Sequence, residues 1–382
     1  MRARELGIRI GSLSPGSHNA ITDVEGVRVG HSTIVRGEGP LVVGKGPVRT
    51  GVTVVCPRKG LTRDEPVFAD SHTFNGNGEM TGLEWIREAG SLATPLAITN
   101  THSVGVVRDT LVRAEIEARP DDEDYWSLPV AAETYDGILN DINGQHVAAE
   151  HVLEALASAS TGPVEEGSVG GGTGMICHEF KGGIGTASRR LPVEKGGWTG
   201  GALVQANYGR RPMLRVDGAP VGRVLGTEIV PSPYGGEEET QPAGTGSIIV
   251  VLATDAPLLP TQCDRLAMRA SIGLGRMGGG LDNGSGDIFF AFATGNSGIP
   301  RTGLPEPPAT VPLQMVSNKY MTPLFQAAAE ATEEAILNAL LAAGDMTGRD
   351  GITAYGLTPE LLLSALEEAR RGNLTSEQRP TP

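Results

Sequence analysis

Gly244-Thr245-Gly246-Ser247 runs directly into Ile248-Ile249-Val250-Val251-Leu252-Ala253-Thr254, and this junction is where the sequence is best placed to do chemistry. The stretch before it, residues 231–246, is the linker-like segment of the chain, with Gly235-Gly236, an acidic run from Glu237 to Glu239, and Pro242. The stretch after it is nearly all apolar and reads as a strand covered on both faces. A loop so placed would deliver its last peptide bond to the mouth of a sheet. With that bond cleaved, Ser247 would hold a hydroxyl and a free α-amino group on one residue at a rigid strand end. An α-amine has an unperturbed pKa of roughly 7.7 to 8.0 and can act as a general base near neutral pH, so no histidine is required. Taken alone, glycine and serine before a strand also make an ordinary turn.

Other patterns are weaker. Gly273-x-Gly275-x-x-Gly278 fits a dinucleotide fingerprint but falls at the end of a predicted helix instead of after a strand. Gly39 to Gly44-Lys45 approaches a phosphate-binding loop, yet Gly46 stands where the magnesium-binding Ser or Thr belongs. The run Gly170 to Gly174 suits close approach of backbone to backbone, or a pocket lined with N–H groups. The seven histidines include no pair at metal spacing, and His146 and His151 are five apart on a predicted helix. We expect no catalytic metal and no cofactor.

The chain has 382 residues, enough for one large core or two ordinary ones. Its 39% hydrophobic and 20% charged residues are globular values, but 54 glycines are about twice the usual share of roughly 7%. A formal net charge of −14 argues against nucleic acid as a partner, because no basic patch is present to meet phosphate. The three cysteines, Cys56, Cys177 and Cys263, are too few and too scattered for a disulfide framework. No apolar leader precedes Ile10 and no run of 18 apolar residues occurs, so a cytoplasmic protein without membrane contact is expected.

The elements that must position Ser247 alternate in blocks. Strands are predicted at 52–56, 95–99, 183–187, 201–206, 247–254 and 288–294. Helices are predicted at 81–89, 106–118 and 146–159, then from Thr261 to about Gly275 with Asp264 completing a capping box. Thr322-Pro323 and Thr358-Pro359 each read as an N-cap followed by proline at the first helical position. The tail from about Gly372 is polar and expected to fray. Such blocks point to layered sheets flanked by helices rather than to a Rossmann domain or a barrel.

Several dispersed segments then carry a resemblance. They are Gly11-Ser12-Leu13-Ser14-Pro15-Gly16, Val27-Arg28-Val29-Gly30-His31, Arg49-Thr50-Gly51-Val52-Thr53, Asn75-Gly76-Asn77-Gly78-Glu79, Gly170 to Met175, Gln205-Ala206-Asn207-Tyr208-Gly209, Ser247 to Leu258, and Gly284-Ser285-Gly286-Asp287-Ile288. Through them the chain resembles the self-processing aminopeptidases that include the β-peptidyl aminopeptidases and the L-aminopeptidase/D-Ala esterase-amidase. The resemblance implies an αββα sandwich like that of N-terminal-nucleophile hydrolases, with different connectivity. It implies cleavage between Gly246 and Ser247 into a large subunit, 1–246, and a small one, 247–382, that stay together and assemble further as a homo-oligomer of such pairs. Ser247 matches the nucleophile, Asn207 the amide that stabilises the oxyanion, and Ser285 and Asp287 the serine and acid completing the nucleophile's network. Asp287 is glutamate in some members, so its reach here is shorter. Glu133 and Tyr135 match the carboxylate and phenol around the substrate's amino end, and a carboxylate is the natural partner for a substrate ammonium. The expected substrates are short peptides, or amino-acid amides and esters with a free amine. An acyltransferase on the same fold and an uncut, non-enzymatic binding protein are the alternatives.

Overall fold

A computed structural model of the chain describes residues 1–235, 246–301 and 307–372. Two sheets form its centre. The first has four strands in the order β1 (Arg28–Arg36), β2 (Val48–Cys56), β5 (Leu96–Asn100) and β6 (Val130–Thr134). The second has six, in the order β4 (Ser91–Leu92), β3 (Val67–Gly76), β12 (Gly286–Ala293), β11 (Ser247–Thr254), β10 (Thr199–Asn207) and β9 (Gly183–Arg190). Two short hairpins, β7 (Ile176–Cys177) with β8 (Phe180–Lys181) and β13 (Met346–Thr347) with β14 (Thr353–Ala354), complete the strands. The helices are α1 (Leu83–Ala89), α2 (Val104–Glu117), α3 (Ala149–Ser158), α4 (Pro260–Ala267), α5 (Ala270–Arg276), α6 (Met321–Ala342) and α7 (Pro359–Gly372).

Side-chain alternation along the strands builds three apolar layers from these elements. Ile248, Val250 and Leu252 of β11 pack with Leu266, Leu274, Ile336, Leu340 and Leu362 from α4 to α7. Ile249, Val251 and Ala253 point the other way and meet Val55, Ile98 and Val130 of the four-stranded sheet. Beyond that sheet, Val52, Val54 and Ala97 pack on Val107 and Leu111 of α2 and Val152 of α3. The order is helices, sheet, sheet, helices, which is the expected αββα sandwich. Each fully buried aliphatic contributes about 1.5 to 3 kcal/mol, and every residue of β11 is buried.

The helix expected over 261–275 is two. Around Met268 the bonding tightens to Arg269 N–H on Leu266 O (3.0 Å) and Ser271 N–H on Met268 O (3.3 Å), while the Ser271 hydroxyl also takes Met268 O (2.6 Å). Its start also differs: Pro260 opens α4, and the side chain of Gln262, not Asp264, accepts the Leu259 N–H (3.1 Å). A 3₁₀ turn over Asn318–Tyr320 carries the start of α6 back to Met321, so Thr322 is inside the helix. Thr358 does cap α7, its hydroxyl accepting from Leu361 N–H (3.3 Å). The tail beyond Gly372 lies outside the described residues. Among the described residues no helix is long and apolar enough to cross a membrane.

Candidate active site

Three strand termini meet at one end of the six-stranded sheet. β10 ends at Asn207, β11 begins at Ser247 and β12 begins at Gly286, and the ladders pair Ser247 with Asn207 on one side and with Gly286 on the other. β11 and β12 run parallel, so both present their N-terminal ends here. Asn207 shares the strand face of Leu203, and Ser247 that of Ile249 and Val251, both turned toward the other sheet. The nucleophile and amide expected from sequence are therefore direct neighbours.

The bond between Gly246 and Ser247 is intact, and its carbonyl has two donors. Ser247 Oγ donates to Gly246 O at 2.5 Å, and the Gly286 N–H donates to the same oxygen at 3.0 Å. Sequence reasoning missed Gly286, because a backbone N–H has no signature in residue type. Gly286 also has to be small: a Cβ there would lie 2.4 Å from Asn77 O and 2.9 Å from Gly78 Cα.

Asn207 is held by backbone on both ends of its amide. Its Oδ1 accepts from Ile176 N–H (2.8 Å) in the β7–β8 hairpin, and its Nδ2 donates to Tyr135 O (2.8 Å). The first bond fixes which end of the amide is the donor. Tyr135 thus touches Asn207 through its carbonyl, while its ring folds over Gly137, where a Cβ would lie 2.4 Å from the phenol oxygen.

Ser285 and Asp287 are brought together: Ser285 Oγ donates to Asp287 Oδ1 at 2.5 Å. Both are buried, and burial pushes the Asp287 carboxyl up to about 6, partly offset by Ser285 and the Ile248 N–H. The Asn75-Gly76-Asn77 motif explains how this turn is held. Asn75 Nδ2 donates to the carbonyls of Asp282 (3.2 Å), Asn283 (3.1 Å) and Ser285 (2.5 Å), and Asn77 Nδ2 to Gly284 O (2.7 Å).

Glu133, at the end of β6, is 3% exposed. Its carboxylate accepts from the Thr101 hydroxyl and from Glu79 N–H (3.0 Å), and burial, opposed by those bonds, raises its pKa. A Cβ on Gly78 would sit 3.2 Å from both Glu133 Oε1 and Gly286 Cα, so one glycine separates this acid from the strand end beside Ser247. On the opposite flank a cleft of about 390 Å³ opens against Gly246 and Ser285.

The glycine run 170–174 packs backbone on backbone between the sheets, where a Cβ on Gly171 would lie 2.2 Å from Gln205 Oε1. It does not line the cleft. The glycine pattern over 273–278, set aside as a dinucleotide fingerprint for its place at a helix end, lies in α5 and the turn after it. His146 is bonded to Asp141 (2.8 Å) and His151 caps Ala148 N–H (3.0 Å). Among the described residues no three of His, Cys, Asp and Glu converge as metal ligands would.

The model of peptidase family S58 matches residues 19–354. The chain belongs to that family. Over 379 residues it is 50% identical to the β-peptidyl aminopeptidase BapA of Sphingosinicella microcystinivorans, covering 97% of this chain and 93% of that one. A solved β-aminopeptidase of Burkholderia sp. superposes with a TM-score of 0.89 at 58% identity, over the whole of both chains. The L-aminopeptidase D-Ala-esterase/amidase of Ochrobactrum anthropi superposes with a TM-score of 0.86 at 43% identity, covering 97% of this chain and 99% of that one. That structure is described as a prototype for the serine aminopeptidases and a new variant among the Ntn hydrolase fold. This S58 chain is accordingly a serine-type aminopeptidase, a hydrolase, built on that fold variant.

Proposed function

We propose that this S58 aminopeptidase cleaves itself between Gly246 and Ser247 and then uses Ser247 as an N-terminal nucleophile. The observation that carries the proposal is the doubly bonded Gly246 carbonyl at the start of β11. Rotation about the Ser247 Cα–Cβ bond turns Oγ from the carbonyl oxygen onto its carbon, while the Gly286 N–H stays on the oxygen where negative charge develops. An N-to-O acyl shift gives an ester, and water releases Gly246 as a carboxylate and Ser247 with a free amine.

In the mature site the Ser247 hydroxyl attacks the substrate carbonyl and its own α-amine takes the proton. The Gly286 N–H and the Asn207 amide hold the oxyanion. The departing amine receives the proton, and water hydrolyses the acyl-enzyme. Ser285 gives its hydrogen to Asp287, which leaves its oxygen lone pairs to orient the Ser247 amine. Glu133, beside Tyr135, receives the substrate ammonium. The substrates are short peptides, amides or esters with a free amino end, β-peptides among them given the relatives at 50% and 58% identity.

The pieces 1–246 and 247–382 stay joined in this account, because β11 and β12 of the small piece lie between β3 and β10 of the large one. Further assembly into an oligomer of such pairs rests on the resemblance. A cytoplasmic location is supported by the three cysteines being buried and free. The test is hydrolysis of an aminoacyl p-nitroanilide beside its N-acetylated form. Turnover of the free amine alone is expected; equal turnover of both would remove the role of Glu133.

A further inference from the structure

The cleft against Gly246 and Ser285 has a chemistry that the catalytic account leaves unused. Its walls come from the turn after β10, with Tyr208, Arg210 and Met213, and from the turn between α5 and β12, with Leu281 and Asp282. Tyr208 and Met277 belong to the apolar layer between the six-stranded sheet and its helices. The cleft thus opens on the helix side of that sheet, whereas Glu133 reaches the site from the four-stranded sheet. Ser247 lies between the two.

Arg210 is the one cation among the described lining residues. Its backbone is pinned, with its carbonyl accepting from Met213 N–H (3.0 Å) and facing His178 Nδ1 (3.1 Å). Among the described residues its guanidinium donates no hydrogen bond. The side chain is 54% exposed, and its partner is Asp282 at 3.7 Å, too far for a hydrogen bond. Asp282 is meanwhile bonded to the Gly284 N–H (3.0 Å). A planar fork of five donors therefore stands at the cleft with its hydrogen-bonding capacity unspent among the described residues.

A short peptide with free ends carries an ammonium at one end and a carboxylate at the other. With its ammonium on Glu133 and its scissile carbonyl at Ser247, the leaving residue extends away from the four-stranded sheet, into the cleft. About 390 Å³ holds one or two residues. In a protein of net charge −14, an approaching carboxylate needs a local cation to offset repulsion. We propose that this cleft is the leaving-group subsite and that Arg210 recognises the free C-terminal carboxylate of the departing residue, making short peptide acids the preferred substrate class.

This rests on the site assignment above, so the test is built to separate the two. A dipeptide and its C-terminal amide with the same N-terminal residue are assayed with wild type, Arg210→Ala and Arg210→Lys. The wild type is expected to favour the acid, and Arg210→Ala to lower the acid-to-amide ratio of kcat/KM about tenfold through the KM of the acid. Arg210→Lys, which keeps the charge but loses the fork, should fall between. Both substrates turned over with an unchanged ratio in Arg210→Ala would overturn the subsite alone. Failure of the wild type to hydrolyse either would overturn it together with the aminopeptidase site.

Discussion

Two buried polar clusters lie along the six-stranded sheet, and they treat their acids in opposite ways. Around Arg189 every charge is answered. Its guanidinium, fully buried, bonds Glu330 (3.1 Å), Glu334 (2.7 Å) and the Ser188 and Ile10 carbonyls, and Arg4 adds a second cation on Glu334 (2.9 Å). Burial raises the Glu330 carboxyl, but the N–H groups of Ser12 and Leu13, Gln326 and Arg189 more than offset this and hold it below its ordinary value. At the Ser247 end Asp287 and Glu133 have hydrogen bonds but, among the described residues, no Arg or Lys paired with them, and burial pushes both up. The first cluster ties the N-terminal segment and β9 to α6, which are segments of the two proposed subunits. The second holds the two acids that the proposed mechanism assigns to the substrate ammonium and the Ser247 amine.

The largest expected effect falls on the paired cluster. Arg189→Ala leaves two carboxylates buried without their shared cation and should cost about 3 to 5 kcal/mol in denaturant unfolding. An unchanged midpoint would dissolve the contrast. Asn207→Ala should lower kcat by about 10²- to 10³-fold with little change in KM, the loss typical of one oxyanion donor. Steady-state kinetics on a p-nitroanilide substrate decides this.

Asp287→Asn tests the sign of the difference. The folded carboxyl titrates near 6 against an ordinary 3.8, so the folded state binds the extra proton between those values. Wild-type stability then falls as pH rises through that window. Removing the ionisable group should raise stability above pH 6 by up to about 3 kcal/mol and give no gain below pH 4. Glu330 has the reverse sign, its contribution being lost as pH falls through its lowered value. Thermal melts at pH 8 and pH 3.5 separate the two. The smallest effect is Glu133→Gln, which should raise KM for free-amine substrates about tenfold by weakening a charged hydrogen bond.

What the sequence makes legible follows from where the information is stored. β11 announces itself by an unbroken apolar run, and α7 by Thr358-Pro359. β1, β3 and β6 do not, because residues such as His31, Asp70, His72 and Glu133 interrupt their apolar pattern and it is ladder partners that make them strands. The break at Met268 depends on a local competition for one carbonyl, which periodicity cannot see. The junction at Ser247 is visible as a linker meeting a buried strand, but alone it also reads as an ordinary turn, and the resemblance is what singles the serine out. Asn207 and Glu133 are legible only through resemblance, since their neighbours come from distant parts of the chain, and Ser285 with Asp287, though two residues apart, otherwise reads as a glycine-rich turn. The Gly286 and Ile176 N–H groups are not legible at all, because backbone donors look alike in every residue but proline.

The central claim is that the doubly bonded Gly246 carbonyl is a scissile one. Intact mass spectrometry of the purified protein beside Ser247→Ala tests it directly. The account predicts wild-type fragments ending at Gly246 and beginning at Ser247, with the variant whole; a wild type that stays whole at 39.7 kDa like the variant would contradict it.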